Sequence, residues 1–127
     1  VGAKAQKKNI LKKSINILEK KEDTNLKWRS KVNYELNNEY KKIFDKINKL
    51  IFLKVPDFEC VYKWRLLQEK KLQLTSKGKK IMSPTQVRKF IMYYERITKQ
   101  MLLDLTNKAY AVLYLDKKHR FNKIKFN

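Results

Sequence analysis

Lys49-Leu50-Ile51-Phe52-Leu53-Lys54-Val55-Pro56-Asp57 is the stretch on which the fold turns. Four apolar residues in a row, flanked by lysines and stopped by a proline, have the length and borders of a buried strand, most simply a parallel one. Phe58 to Leu74 has helical spacing, with Val61, Trp64 and Leu67 or Gln68 on one face. Lys77-Gly78-Lys79-Lys80 reads as a turn or loop. Ser83-Pro84-Thr85-Gln86 is a capping box, with serine at the cap, proline at the first helical position and glutamine three after the cap. The helix it opens extends to about Leu105, with Val87, Phe90, Ile91, Tyr94, Ile97, Met101 and Leu102 inward. Ala109 to Leu115 is the second strand. Phe121 to Phe126 alternates apolar and basic residues, so the chain is expected to end in a hairpin whose last strand is an edge guarded by lysine.

Working back from Lys49, the clearest amphipathic helix is expected from about Leu26 to Lys46, with Trp28, Val32, Leu36, Tyr40, Ile43, Phe44 and Ile47 along its inner face. Thr24 or Asn25 would cap it. Ala3 to Glu22 reads as helix-prone or irregular, with Ile10, Leu11, Ile15 and Leu18 at helical spacing. The order is helix, helix, strand, helix, helix, strand, strand. Apolar strands need helices on both faces, which makes the chain an α/β protein, a helix-rich part of a three-layer α/β/α sheet with a terminal β-hairpin. Its 127 residues form a single unit. Strand partners lacking within it are expected upstream, and an opening Val1-Gly2 in place of methionine fits a processed product or a fragment.

The net charge is +20, carried by 32 Lys and Arg against 12 Asp and Glu. Most of the basic residues are lysines spread along the chain, often beside asparagine, whereas nucleic-acid surfaces favour arginine for bidentate contacts. That pattern reads as lysine decorating solvated faces, and it argues against a nucleic-acid surface while leaving a field that attracts phosphorylated ligands. Cys60 is the only cysteine, so no disulfide framework exists and a reducing, cytoplasmic setting is expected. No apolar run approaches a membrane span, so no membrane partner is expected.

Catalytic constellations are sparse. His119 is the only histidine, in an expected turn. One Cys and one His exclude a Cys/His metal cluster. Asp57, just past a strand, is a metal ligand or, more simply, a cap. A phosphate loop of the form GxxxxGK[ST] is excluded, because Gly2 and Gly78 are the only glycines and neither has the spacing. More informative is Val61-Tyr62-Lys63-Trp64-Arg65-Leu66-Leu67-Gln68-Glu69. Trp64 and Gln68 share a helix face, as do Arg65 and Glu69. An arginine on a helix that follows a parallel strand is placed to reach phosphates over the strand's carboxyl end; the same spacing also makes a surface Arg65–Glu69 ion pair. Trp28-Arg29 has the same ambiguity, and Trp28 reads as core.

Taken together, these segments resemble the glycerate kinase family of P-loop small-molecule kinases, in its bacterial-type kinase-like branch. The residues that carry the resemblance are Val32-Asn33, Val55-Pro56-Asp57-Phe58, Val61 to Arg65 with Gln68-Glu69, Met82-Ser83, Val87 to Ile91, Tyr94 to Thr98, Met101-Leu102, Leu115-Asp116 and His119-Arg120, with Asn16 to Glu19, Glu22-Asp23 and Trp28-Arg29 upstream. The resemblance covers the carboxy-terminal half of such a kinase. It implies ATP-dependent phosphorylation of a small hydroxylated metabolite, a glycerate-like acid first, with ATP and Mg2+ held by the amino-terminal half and none by this chain, which is then inactive alone. It further implies a lid-like segment over residues 58–82, with Arg65 contacting phosphate and Asn33, Gln68, Arg29 and Trp64 contacting substrate. Leu67 stands where many members have glutamine, and the helix after Phe90 lacks a Pro-x-Tyr turn, so nucleosides, pantothenate and other sugar acids stand beside glycerate as acceptors. The rival readings are a basic polyanion- or nucleic-acid-binding module and a non-catalytic scaffold. Unpaired strand edges also predict self-association.

Overall fold

A computed structural model describes residues 1–75 and 81–127. The expected turn at Lys77 to Lys80, which falls inside the expected lid-like segment, lies outside the described residues.

The strand expected after Lys49 is β1, Ile51–Lys54, and it pairs in parallel with β2, Ala111–Leu115. β2 pairs antiparallel with β3, Phe121–Phe126, giving the sheet order β1-β2-β3. The terminal hairpin is thus present, with an irregularity in register at Tyr114 and Leu115. Two helices cross from β1 to β2. The first, which becomes α5 in chain order, spans Phe58–Thr75, and α6 spans Pro84–Asp104. Pro56 ends the strand by withholding an N–H, and Asp57 then opens α5 by accepting the Cys60 N–H at 2.9 Å. The capping box at Ser83 is complete: the serine hydroxyl accepts the Gln86 N–H at 3.3 Å, and the Gln86 side chain accepts the Ser83 N–H at 2.8 Å.

The amino-terminal part holds four short helices: α1, Lys8–Lys12; α2, Ile17–Glu22; α3, Lys27–Asn37; and α4, Glu39–Phe44. The single helix expected from Leu26 to Lys46 is two. Asn38 adopts φ −117°, ψ −90°, and its side chain donates to the Tyr34 carbonyl at 2.7 Å. Asparagine side chains compete in this way with the helical ladder, and the Asn37-Asn38 pair breaks it. The expected cap also moves. Neither Thr24 nor Asn25 caps α3; Asp23 reaches forward instead, accepting the Trp28 N–H at 2.8 Å and the Arg29 N–H at 3.1 Å, while Leu26 turns through a left-handed φ of 56°. Trp28, expected in the core, is 61% exposed, and the one buried residue of α3 is its neighbour Arg29. Tyr40, Ile43 and Ile47 are exposed too, as are Phe90 and Tyr94 of α6, whereas Val87 and Ile91 are buried as expected.

The apolar core lies on one side of the sheet. Phe52 and Val112 pack with Leu105 and Ala109, flanked by Leu50, Met101, Leu102 and Tyr114. Leu105 belongs to a 3-10 turn, Leu105–Asn107, that carries the end of α6 under the strands. Within the described residues the expected helix layers do not enclose both faces equally: Phe52 is 8% exposed, but its neighbours Ile51 and Leu53 are each 60% exposed. Among the described residues no helix is long and apolar enough to cross a membrane.

Strand neighbours therefore differ sharply in weight. Phe52→Ala empties a core position and is expected to lower unfolding free energy by about 3–5 kcal/mol in urea titrations. Leu53→Ala, one residue on, is expected to stay within about 0.5 kcal/mol of the parent chain.

Candidate functional site

Ligands of open α/β sheets bind outside the carboxyl ends of parallel strands. Here that end is built from the β1–α5 junction and the turn between β2 and β3. Asp116 organises the turn, accepting the N–H groups of Lys118 and Arg120 at 2.8 and 2.9 Å and the Arg120 Nε–H at 3.0 Å. The Arg120 backbone N–H, ahead of its guanidinium, holds the Asp116 carboxyl below the usual range. This winding puts His119 at φ 63°, and its ring stacks on Trp64 of α5 with centroids 4.1 Å apart and planes 18° from parallel. The Trp64 indole N–H points at the Lys117 carbonyl, 3.4 Å away. Asp57 lies at the same end. The Cys60 N–H, then its thiol, lower the Asp57 pKa, with Lys117 and Lys63 adding to the effect. Burial, and then the Asp57 carboxylate, push the Cys60 thiol up. Asp57 is thus a helix cap. Among the described residues, no group of three or more His, Cys, Asp or Glu is gathered as a metal site.

Arg65 and Gln68 follow on α5. The Arg65 guanidinium pairs with Glu69 and donates to the Gln68 side chain at 2.7 Å, and it lies 5.5 Å from the Phe90 ring centroid. The i,i+4 pair read from the spacing is present, yet it is no ordinary surface bridge. Glu69 is 3% exposed and also accepts the Met82 N–H at 2.9 Å, so it anchors the entry to α6. Arg65 keeps part of its five-donor fork free of these two contacts.

Arg29 and Asn33 are spent differently. Arg29 is 6% exposed, and its Nε–H donates to the Leu11 carbonyl at 2.7 Å; Nη1 reaches the Asp23 carbonyl at 2.9 Å and carboxylate at 3.1 Å. The Asn33 amide accepts the Gln6 N–H at 2.6 Å and donates to the Gln6 carbonyl at 3.1 Å, the two bonds a strand neighbour would make. Both residues line a cleft with Arg96, Glu19 and Trp28 that Arg65, Gln68 and Trp64 do not reach. The five candidates therefore fall into two groups: Trp64, Arg65 and Gln68 along α5, and Arg29 with Asn33 under the amino-terminal arm.

Arg96, absent from the candidates, ties that arm down. It is buried on α6, donating to Glu19 at 2.7 and 2.6 Å, to the Gln6 side chain at 3.0 Å and to the Lys13 carbonyl at 2.7 Å. Asn16 caps α2 and also donates to the Met92 carbonyl and the Glu95 carboxylate, each at 3.0 Å. The Asn16-x-x-Glu19 spacing of a capping box was the available signal. Arg96 gave none: it lies nine residues, about two and a half turns, from Val87, on the opposite side of the helix.

Burial pushes the Glu19 carboxyl up, but the Arg96 hydrogen bonds, the Ile15 N–H and the charges of Arg96 and Arg29 outweigh it, and the net shift is downward from 4.5. A depressed carboxylate contributes stability that is fully present above the unfolded value and lost as pH falls through the folded one. Glu19→Gln strips the buried guanidinium of its partner and is expected to cost about 3–5 kcal/mol at neutral pH. The gap to the parent chain should narrow once pH drops below 4.5, measured by urea unfolding across an acid series.

No family model and no curated protein matches the chain. Among solved structures it is similar to D-glycerate 3-kinase from Cryptococcus neoformans var. grubii serotype A, with a TM-score of 0.64 and 22% identity over 77% of this chain. The chain spans 35% of that kinase's length. What the two share is the fold, and this α/β chain has a glycerate kinase-like one.

Proposed function

We propose that the chain is the carboxy-terminal part of a P-loop kinase that transfers a phosphoryl group from ATP to a small hydroxylated acid of the glycerate class. The observation that carries this reading is the likeness of fold to a D-glycerate 3-kinase over 77% of the chain. The residues present do not fit the nucleotide or its magnesium: the two glycines make no phosphate loop, and the described residues gather no three metal-binding side chains. Those groups belong, on this reading, to polypeptide outside these 127 residues. The chain's own part is to bind and orient the acceptor.

Arg65 is the residue to which we assign the anionic end of the acceptor or its phosphate. Glu69 fixes one terminal nitrogen of the planar Arg65 fork and Gln68 the other, and the remaining N–H groups are available to an oxyanion. Gln68 supplies a neutral hydrogen-bonding partner beside it, and Trp64 an apolar wall braced by His119. Arg29 and Asn33 act in this reading on the amino-terminal arm, through which they keep α3 seated. A polyanion-binding module is the second reading, favoured by the exposed Lys117, Lys118 and Arg120 of the hairpin turn.

The test is an assay of the longer natural polypeptide that contains this sequence, supplied with ATP and Mg2+ and offered glycerate, nucleosides and pantothenate. Phosphorylated glycerate is the expected product. Arg65→Lys keeps a cation for buried Glu69 but loses the fork; it should lower kcat/KM at least about tenfold with Tm unchanged. Unaltered turnover removes Arg65 from the site. No product from any acceptor, together with binding to single-stranded RNA that weakens steeply with salt, transfers the chain to the polyanion reading.

A further inference from the structure

At the amino end of the parallel strands the arm, α4 and the entry to β1 meet around an open space. The arm is pinned at Gln6, whose backbone N–H and carbonyl both bond the Asn33 side chain of α3. It is pinned again at Gly2, which takes a left-handed φ of 79°, and a Cβ there would fall 2.8 Å from Leu50 and 3.4 Å from Leu105. Glycine is the residue that lets the backbone lie this close at such a φ. On another side α4 runs on into turns closed by Lys46 and Ile47, whose N–H groups donate to the Ile43 and Phe44 carbonyls at 3.2 and 3.1 Å. These supports enclose a cavity of about 470 Å³. The wall that the arm supplies is Gly2, Ala3, Lys4 and Ala5, so Lys4 is its only long side chain.

The volume is that of a small-molecule site. Its apolar walls are Leu36, Phe44, Ile47, Leu50 and Leu105. Its charged groups are the three lysines Lys4, Lys41 and Lys108 against one carboxylate, Asp45. Lys41 pairs with Asp45 in an exposed i,i+4 contact, and Lys108 meets Asp104 at 3.7 Å. Pairs this exposed hold little energy, so their lysines can be shared with another anion. Lys4 is exposed and forms no ion pair among the described residues. Lysine stems lie along apolar surface and keep the ammonium in water, which suits a hollow with apolar walls and a cationic mouth. Trp64, Arg65 and Gln68 take no part in it.

We propose that this cavity is a second binding site, for a small free amphiphile with an apolar tail and a carboxylate or phosphate head. The tail lies against Leu36, Phe44, Leu50 and Leu105, and the head sits at the mouth among Lys4, Lys41 and Lys108. Charge selects the head: three ammonium groups to one carboxylate, in a chain of net charge +20, repel an amine and draw an anion. The apolar walls select the tail, because a bare anion such as inorganic phosphate would give up water there without gaining donors. The site lies at the opposite end of the strands from the one assigned to phosphoryl transfer and stands whether or not that assignment does.

The test is a calorimetric titration of decanoate, without ATP, into the natural polypeptide that contains these residues. One saturable site is expected below the concentration at which decanoate self-associates, with the methyl resonances of Leu36, Leu50 and Leu105 shifting as it fills. Decanol, the neutral counterpart, should bind at least about tenfold more weakly, and Lys4→Glu should bring decanoate down to the level of decanol with Tm unchanged. Ala5→Phe, which fills the cavity, should remove both ligands; should that variant fail to fold, Lys4→Glu at an exposed position decides the matter. Four results overturn the inference: no saturable binding of decanoate, equal affinity for decanoate and decanol, decanoate affinity untouched by Lys4→Glu, or retention on anionic phospholipid vesicles without decanoate binding, which gives these lysines to a membrane surface.

Discussion

The amino-terminal third of this chain depends on the guanidinium of Arg96. Segments as short as α1 and α2, five and six residues, cannot hold themselves in water. The apolar residues they bury are Leu11 and Leu18, with Ala3 ahead of them. What fixes them is a cation on α6 that gathers a carboxylate, a side-chain amide and a backbone carbonyl from three points along the arm, with Arg29 gathering a second set from the other side. With only 12 acidic residues against 32 basic ones, the choice of where a carboxylate is buried is a strong constraint. Glu19 and Asp23 stand at that junction, and among the described residues no buried side-chain nitrogen or oxygen is left without a partner.

Local chemistry was legible and long-range chemistry was not. The Pro56 stop, the Ser83 box and the lysine-guarded last strand are each decided within a few residues, and each stands where the residues put it. Periodicity in Leu26 to Lys46 announced a face but not its direction. The helix turned its arginine inward and its tryptophan outward, because the arm packed against it is rich in carbonyls and carboxylates, and because the Asn37-Asn38 pair divided the stretch. In the same way Arg65 and Glu69 were readable as a pair, while the burial of Glu69 depends on the Met82 N–H thirteen residues away. The grouping of Arg29 with Asn33, apart from Trp64, follows from contacts with Gln6 and Leu11 that no spacing encodes.

Sheet and helix meet at Trp64. Its ring joins α5 to the turn that links β2 and β3, so the position of His119 and Lys117 is tied to the helix that carries Arg65. Opposite charges brace the other side of the same helix, where Arg88 of α6 meets Glu59 at 2.9 Å and lies 3.5 Å over the Tyr62 ring. The carboxyl end of the strands is therefore tied on one flank by the Trp64–His119 stack and on the other by the Glu59–Arg88 pair.

The parallel pairing of β1 with β2 also sets the order in which the molecule is made. Ile51 finds Ala111 sixty positions later, whereas Leu115 finds Phe121 after six. Closure entropy rises with the logarithm of the intervening length, so the hairpin and the α5–α6 pair assemble from near neighbours and β1 joins them afterwards. During synthesis on a ribosome, β1 leaves the exit tunnel well before its partner exists. Its apolar residues spend that interval without β2, which exposes this strand of a nascent chain to chaperones and to misassembly.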